Sequence, residues 1–463
     1  MNVSKNLTQG NVAKVLPLFA FPYLLANLLQ AALGIADMGI TAMYCGEGGA
    51  AAIGVASQIV YLVVNAATGL ASGATILIGQ RYGAEDREGV RKAVATLTSI
   101  SLMVAVPTAI GVGVGAKGLL GLLQTPPEAM EGAKAYLIVS MAGLPFVFAY
   151  NGLSAVIRGL GNSKIPLMII GGAAILNIGL DFVTVGLLKW GVGGAAAATV
   201  LAEALSAAVA LGFLVRKTPF RLGDFKPAWD KASAKEIVKI GFPTAVQNAT
   251  ASLSFLLLTV IVNRLQVASV LTVAAAHAMA TKFNNFAVLA PRGMSQAMAA
   301  IVAQNVGAKK FRRNRSVLLW GVIYSVAFGA VFVLVAMFAG GAIFRMLGAE
   351  GETLAAGIGY LKRISADYIL LPLAVCPFGI LDGYGKTSLT MTINLIGSLG
   401  VRVPFAYLIG IVKGTGLAGI GWSIPLASLF CAICAWIAVV VVLQRSIKKA
   451  TRQSTSLSVN TES

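Results

Sequence analysis

Between Ala174 and Glu203 the sequence reads AILNIGLDFVTVGLLKWGVGGAAAATVLAE, an apolar stretch interrupted by Asn177, Asp181, Thr199 and Glu203. Asn177 and Asp181 are spaced four apart, as are Thr199 and Glu203, so on helices each pair shares one face. The GVGG turn between them lets the two helices run antiparallel and aim both faces at a common polar spot. A carboxylate inside a membrane helix costs roughly 2.5 to 3.5 kcal/mol on insertion scales and by default marks a functional site. The chemistry open to such a spot is reversible binding of a proton or a small cation, for which Asn177 and Thr199 add hard oxygen ligands.

The elements that must position these side chains are membrane helices. The chain has 463 residues, 57% hydrophobic and only 11% charged, with a mean hydropathy of +0.83, whereas soluble domains are about 25% charged. Apolar runs reach the ~20 residues needed to cross a bilayer and recur along almost the whole length. They predict an all-α integral membrane protein with spans at 14–44, 50–77, 92–116, 132–157, 165–188, 192–215, 237–263, 268–300, 315–343, 361–383, 388–412 and 417–443. The net charge of +19 is a topology signal. Lys and Arg crowd 81–92, 216–239, 309–315 and 445–452, while the loops of the other side carry scattered residues such as Lys117, Lys189 and Lys413. By the positive-inside rule both termini are cytoplasmic, as in a multi-pass protein of the cell (inner) membrane. Basicity so distributed argues against nucleic-acid binding.

The two halves repeat. Ala20-Phe21-Pro22 is answered by Gly241-Phe242-Pro243, GQRYGA from Gly79 by AQNVGA from Ala303, GLGNS from Gly159 by GYGKT from Gly383, and GVGG from Gly191 by GLAG from Gly416, in order and at nearly one spacing. Six helices per repeat, an even number, give both bundles the same orientation and a pseudo-two-fold axis along the membrane normal. The expected organisation is an N-lobe at 1–215 (helices 1–6), a cytoplasmic linker at 216–236, a C-lobe at 237–444 (helices 7–12) and a polar cytoplasmic tail at 445–463, without fixed structure from Thr451. Pro22 and Pro243 fall inside helices and remove a backbone hydrogen bond, so both mark expected bends. The loops YGAEDREGVRKA and VGAKKFRRNRS read as solvated connectors. Cys45, Cys376, Cys431 and Cys434 suggest packing residues, not a disulfide framework or a redox pair.

Taken together, these residues resemble the multidrug and toxic compound extrusion (MATE) family, and within it the prokaryotic DNA-damage-inducible branch. The resemblance runs from about Leu16 to Gln444 and rests on ADMGITAMYCGEGGAAAIGVASQ around Asp37, GQRYGAEDREGVRKA, IRGLGNSKIP, LNIGLD with GVGGAAAAT, AAAHAMA, AQNVGAKKF and LDGYGKTS. It implies two six-helix lobes around a central cleft, alternating access, and export of small amphipathic compounds by antiport with H+ or, second, Na+. Carried over by position, the ion-coupling site falls on Asp37, Asn177, Asp181 and Thr199, with Glu203 as an extension of the relay or a helix-pairing residue. Depth agrees: Asp37, Asp181 and Thr199 each lie about seven residues from the outer end of their helix, ~10 Å at 1.5 Å per residue. The same four residues are the candidate Na+ ligands. Two acids in one low-dielectric site can share a proton, which favours H+. Some branches of the family place an ion-coupling carboxylate in helix 7; here GFPTAVQNATASLSFLLLTVIVN has none, Ala406 answers Asp181 and Arg402 answers Asn177.

In the second half, Gln247, His277, Lys282, Arg292 and Arg402 are candidate substrate-cleft residues. The basic ones alternatively pair with Asp367, Asp382 or backbone carbonyls, and His277 alternatively packs. Pro22 is the candidate hinge. An exporter or flippase for an anionic or lipid-linked metabolite competes with multidrug efflux, because the second half is basic. One histidine, no nucleophile beside a base and no metal-spaced cluster argue against an enzyme, and the lack of a GxxxxGK[ST] motif points to an ion gradient as energy source. The expected partners are a small-molecule substrate and membrane lipid, with no resident cofactor and a monomeric state.

Overall fold

The computed structural model describes residues 6–265 and 270–461. The apolar runs form helices: α1 Val12–Gly46, α2 Gly48–Gly83, α3 Arg87–Val114, α4 the bent pair Pro127–Ala142 and Leu144–Gly159, α5 Lys164–Leu187, α6 Gly191–Lys217, α7 Lys231–Asn263, α8 Thr272–Gly307, α9 Arg313–Met346, α10 Gly351–Gly383, α11 Thr387–Val412 and α12 Gly416–Thr451. Counting α4, which turns by 49° at its break, as one span gives the twelve expected. Lipid offers no partner for backbone N–H and C=O groups, so a segment of this length and hydropathy satisfies them internally as helix. Gly46, with φ 67°, makes the break between α1 and α2, a left-handed conformation that glycine adopts without strain.

The chain forms two compact units. Leu25–Ala245 is the body of the first; Leu7–Leu24 and the chain from Val246 onward form the second. This differs from a division at 215 and 237, because α1 starts in the second unit and α7 starts in the first. Leu7, Val12, Leu16, Phe19, Ala20 and Tyr23 are buried in the core of the second unit with Ala297, Ile301 and Val317. In the first unit α7 lies so close to α2 that a Cβ on Gly73 would come within 2.7 Å of the Gly241 nitrogen and the Ile237 oxygen. Pro22 and Pro243 each fall two residues before the point where their helix changes unit. The α1 helix nevertheless runs unbroken through Pro17 and Pro22; its one non-helical residue is Gly46.

Outside the spans three features stand out. The loop residues are not simply solvated. Arg81 donates to Gly89 O at 2.6 Å and Ser233 Oγ at 2.8 Å. Lys310 Nζ donates to Thr8 O at 3.1 Å, and Arg313 to Gly10 O at 2.7 Å and Gln9 O at 2.8 Å. In both loops the charge meets backbone carbonyls or hydroxyls close to the start of a helix. The linker is tied down on α3: Ser99 Oγ donates to Ala228 O at 2.8 Å, Asp230 N to Thr96 Oγ1 at 3.2 Å, and Arg91 lies 3.6 Å from Asp224. The last helix continues to Thr461, past the residue at which structure was expected to end. No glycine follows Gly421 and no proline follows Pro425, so nothing breaks a helix that its apolar part has already nucleated.

Candidate ion-binding site

The first unit brings Asp37 of α1, Asn177 and Asp181 of α5 and Thr199 of α6 together. Asp37 is 7% exposed, and Asn177 and Asp181 are fully buried. The α5–α6 hairpin is locked in register by Thr184, whose hydroxyl donates to Leu180 O and Gly194 O at 2.9 Å each, and by Trp190 N, which donates to Thr184 O at 2.9 Å. Directly after Asp181 the helix widens into a π-turn, Phe182–Leu187, a local distortion found frequently at functional sites.

The Asn177 amide is satisfied with its nitrogen donating to Asp37 Oδ1 at 2.9 Å and its oxygen accepting from Thr199 N at 3.2 Å. Amide orientation follows from the hydrogen-bond network, and this one satisfies both ends. The Thr199 hydroxyl, which donates to Ala195 O at 3.1 Å, also reaches Asp37. Both Asp181 oxygens are buried without a donor among the described residues, and the group they meet is the Asp37 carboxyl. Two carboxyls hydrogen-bond to each other only when one carries a proton. The arrangement therefore has the acceptors for one shared proton. Its two carboxylates and its amide and hydroxyl oxygens also form a donor set of the kind a hard cation takes.

Glu203 stands apart. It is half-buried on α6, its Oε2 has no partner among the described residues, and the group it acts on is Tyr150 of α4, not the four-residue cluster. Two residues that the sequence reading passed over belong near the site. Thr41 is fully buried with its hydroxyl unpaired, and its spacing of four from Asp37 was a usable signal. Tyr136 of α4 is 8% exposed and within electrostatic reach of both acids; no motif marks it.

The second-half candidates do not form one surface. Gln247 is half-buried, while Lys282 and Arg292 are exposed. His277 is buried, its Nε2 3.3 Å from Thr259 Oγ1 and its ring edge-on to Tyr360 at 5.4 Å. Arg402 is buried with its guanidinium 4.7 Å from the Phe255 ring centroid. Arg402 and Arg292 both act on Asp367, while Asp382 accepts from Thr390 Oγ1 at 2.7 Å.

With this geometry in hand, similarity to known proteins is informative. The chain is 27% identical over 440 residues to the probable multidrug resistance protein YpnP of Bacillus subtilis, covering 93% of this chain and 96% of that one. A solved structure of a MATE protein in its bent conformation superposes with a TM-score of 0.89 at 21% identity, over 96% of this chain and 98% of the other. A transporter of the MOP superfamily from Pyrococcus furiosus, described as having a binding pocket of reversed polarity, superposes with a TM-score of 0.88 at 20% identity over the same shares. These structures share the fold. The MatE family model matches residues 22–183 and 243–408, both halves of the repeat, and the chain belongs to this family of MATE transporters.

Proposed function

We propose that the chain is a multidrug exporter of the cell membrane, with both termini cytoplasmic, that extrudes small amphipathic compounds by alternating access in exchange for protons bound at Asp37 and Asp181. The observation that carries the coupling is the buried Asp181 carboxyl, whose oxygens meet Asp37 and no other donor among the described residues. Relatives named as multidrug resistance proteins support the substrate class. The unprotonated pair places like charges side by side in a dry site; one proton converts the repulsion into a hydrogen bond and relieves the cost of burial. For that event to drive export, the two access states must bind the proton with different affinity, because a ligand of equal affinity shifts no equilibrium. Bending of α1 at Pro22, above which the same helix carries Asp37, is the movement we assign to the proton. Asn177 and Thr199 orient Asp37.

The test is efflux of ethidium from proteoliposomes under imposed gradients. Transport driven by a pH gradient and abolished when that gradient is collapsed is expected. A requirement for Na+, with indifference to pH, would replace the proton by sodium on the same four residues. Absence of transport of ethidium and other amphipathic cations under either gradient would overturn the substrate class.

A further inference from the structure

One end of the second unit, where α8 passes into α9, α10 into α11, and α12 leaves its apolar part, carries a basic rim that the coupling scheme leaves unused. Alternation of the spans puts these three places on one side. Tyr384 draws them together. Its hydroxyl accepts from Asn314 Nδ2 of α9 at 3.0 Å, its ring stacks on Phe311 of the α8–α9 loop at 6.4 Å, and it packs against the core that holds Val439 and Leu443 of α12. Asn314 in turn accepts from Asn305 Nδ2 of α8 at 2.9 Å. Flanking these residues in sequence, Arg312, Arg315, Lys386, Arg445 and Lys448 are all exposed.

No acid in these stretches balances them. Residues 303–316, 383–390 and 440–453 include no Asp or Glu, and Asp382, which precedes the second stretch, accepts from Thr390 Oγ1. In the first unit the answering stretches 79–92 and 216–239 carry Glu85, Asp86, Glu88, Asp224, Asp230 and Glu236. The three ion pairs among the described residues, Arg81–Glu236, Arg91–Asp224 and Lys92–Glu88, all lie there. Orientation in the membrane does not account for the difference. The positive-inside rule counts Lys and Arg, and acids weigh little in it, so loops that keep their acids orient a span as well as loops without them.

The cations also continue stripes of exposed apolar side chains. On α9, Arg312 and Arg315 share a helix face with Leu319 and Ile323; on α12, Arg445 and Lys448 share one with Ile437 and Val441; all four apolar residues are exposed. An exposed apolar surface of this kind on a span is one that acyl chains cover. A cation at the end of such a stripe therefore meets the layer in which headgroup phosphates lie, its stem over hydrocarbon and its charge in the polar zone.

We propose that this rim binds anionic phospholipid of the facing leaflet at two places, the headgroup phosphate held by Arg312 and Arg315 at α9 and by Arg445 and Lys448 at α12, with the acyl chains along the apolar stripes. Nucleic acid or an acidic protein would be met by cations standing clear of the bilayer, without hydrocarbon directly beneath them. The inference does not use the proton-coupling reading.

The test is native mass spectrometry of the full-length protein in detergent, titrated with phosphatidylglycerol or with phosphatidylcholine of the same acyl chains. The unaltered protein should bind phosphatidylglycerol more tightly. Arg312→Gln/Arg315→Gln and Arg445→Gln/Lys448→Gln should each weaken that binding by about fivefold or more, since a basic residue beside an anionic surface contributes about 1 kcal/mol. Arg312→Lys/Arg315→Lys should keep it, and Arg91→Gln/Lys92→Gln, which removes cations already paired with acids in the first unit, should change it less than about twofold. The replaced rim side chains are exposed, so these variants should keep the thermal midpoint of the unaltered protein. Equal affinity for the two lipids overturns the proposal, as do rim variants that bind phosphatidylglycerol undiminished or an equal loss in Arg91→Gln/Lys92→Gln. Displacement of the lipid by glycerol 3-phosphate at the same concentration, or by a random-sequence RNA, would assign the rim to free phosphate or to nucleic acid and overturn it too. None of these outcomes depends on which ion or compound the protein carries, so failure here and failure of the exporter reading are distinguishable.

Discussion

The two units place opposite chemistry at answering positions. In the first, Asp37, Asn177, Asp181 and Thr199 form a buried polar cluster between α1, α5 and α6. In the second, Leu258, Ala406 and Ile424 pack into hydrocarbon core, and Arg402 turns to Ser254 and Phe255. Backbone features persist where side chains diverge: a π-turn follows Asp181 at Phe182–Leu187, and another follows close to Ala406 at Leu408–Val412. The two halves thus share a helical scaffold, while acids at these answering positions occur in the first half alone. A fold shared with a transporter of reversed pocket polarity makes the same point, since scaffold alone does not set the charge of a site.

The largest expected effect breaks this comparison at its centre. Asp37→Asn and Asp181→Asn should each reduce proton-driven ethidium efflux to the level of protein-free vesicles, with the protein still folded, because neutralising an acid does not strand a buried charge. Asn177→Ala and Thr199→Val each remove one hydrogen-bond partner and should cost about tenfold. At the answering position, Ala406→Ser should keep wild-type efflux. Wild-type rates in both aspartate variants, measured under a gradient, would remove the coupling site from the first unit.

Next in size is the contrast between Pro22 and Pro243. Both sit two residues before their helix changes unit, and a proline inside a helix costs about 3 kcal/mol relative to alanine, so either alanine variant stiffens its helix. Beyond the proline α1 carries Asp37, the acid of the proposed coupling, whereas α7 carries Leu258 at the answering position. Pro22→Ala should therefore slow efflux several-fold more than Pro243→Ala. Equal losses, or a larger one at Pro243, would sink the bending of α1 while leaving the family assignment intact.

A smaller and structural contrast lies where the units exchange helix starts. The positions answering Gly73 and Gly241 are Ala297 and Ala20, both buried in the second unit. Gly73→Ala copies the second unit's residue into the first, where its methyl meets the backbone of α7 within 2.7 Å. Overpacking of this kind costs about 1–3 kcal/mol. Gly293→Ala, whose methyl would stand 3.2 Å from Leu24 N, should cost less. Thermal unfolding in detergent compares the two, and a lower midpoint for Gly293→Ala would reverse the order.

What the sequence made legible follows from how local each signal is. Hydropathy fixes membrane helices, because the bilayer leaves the backbone no alternative, and the spacing of Asn177 from Asp181 placed both on the site face. Asp37, Asn177 and Thr199 meet because the α5–α6 hairpin brings its polar face against α1. Less legible were features that depend on long-range packing. The passage of α1 and α7 between units leaves no local mark beyond Pro22 and Pro243, and the burial of Arg402 against Ser254 and Phe255 is set by the packing of α11 on α7. Lys310 and Arg313 read as solvated because their acceptors, the carbonyl groups of Leu7–Gly10, lie far away in sequence and carry no side-chain signature.

The smallest expected effect concerns how each unit holds the exchanged helix start. In the second unit, Lys310 and Arg313 grip carbonyl oxygens of the N-terminal segment, contacts that involve no carboxyl group. In the first unit, the start of α7 is capped by Asp230, which accepts from Ser233 N at 2.8 Å and from the Ser233 hydroxyl. These bonds to Ser233 hold the Asp230 carboxyl below its ordinary range, with Arg81 and Lys92 acting in the same direction. A group whose folded value is depressed stabilises the fold above its unfolded value and loses that contribution as pH falls through the folded one. Acidification below about pH 4 should therefore loosen the start of α7 and spare the N-terminal segment, an aspartate being the group that titrates there. Hydrogen exchange of residues 232–239 against that of residues 7–15 measures the contrast. Asp230→Ala should reproduce the loosening at neutral pH, as a severalfold faster exchange, and abolish its acid dependence. If both segments loosen together in acid, or if the acid response survives in Asp230→Ala, the cap at Asp230 is not what distinguishes the two attachments.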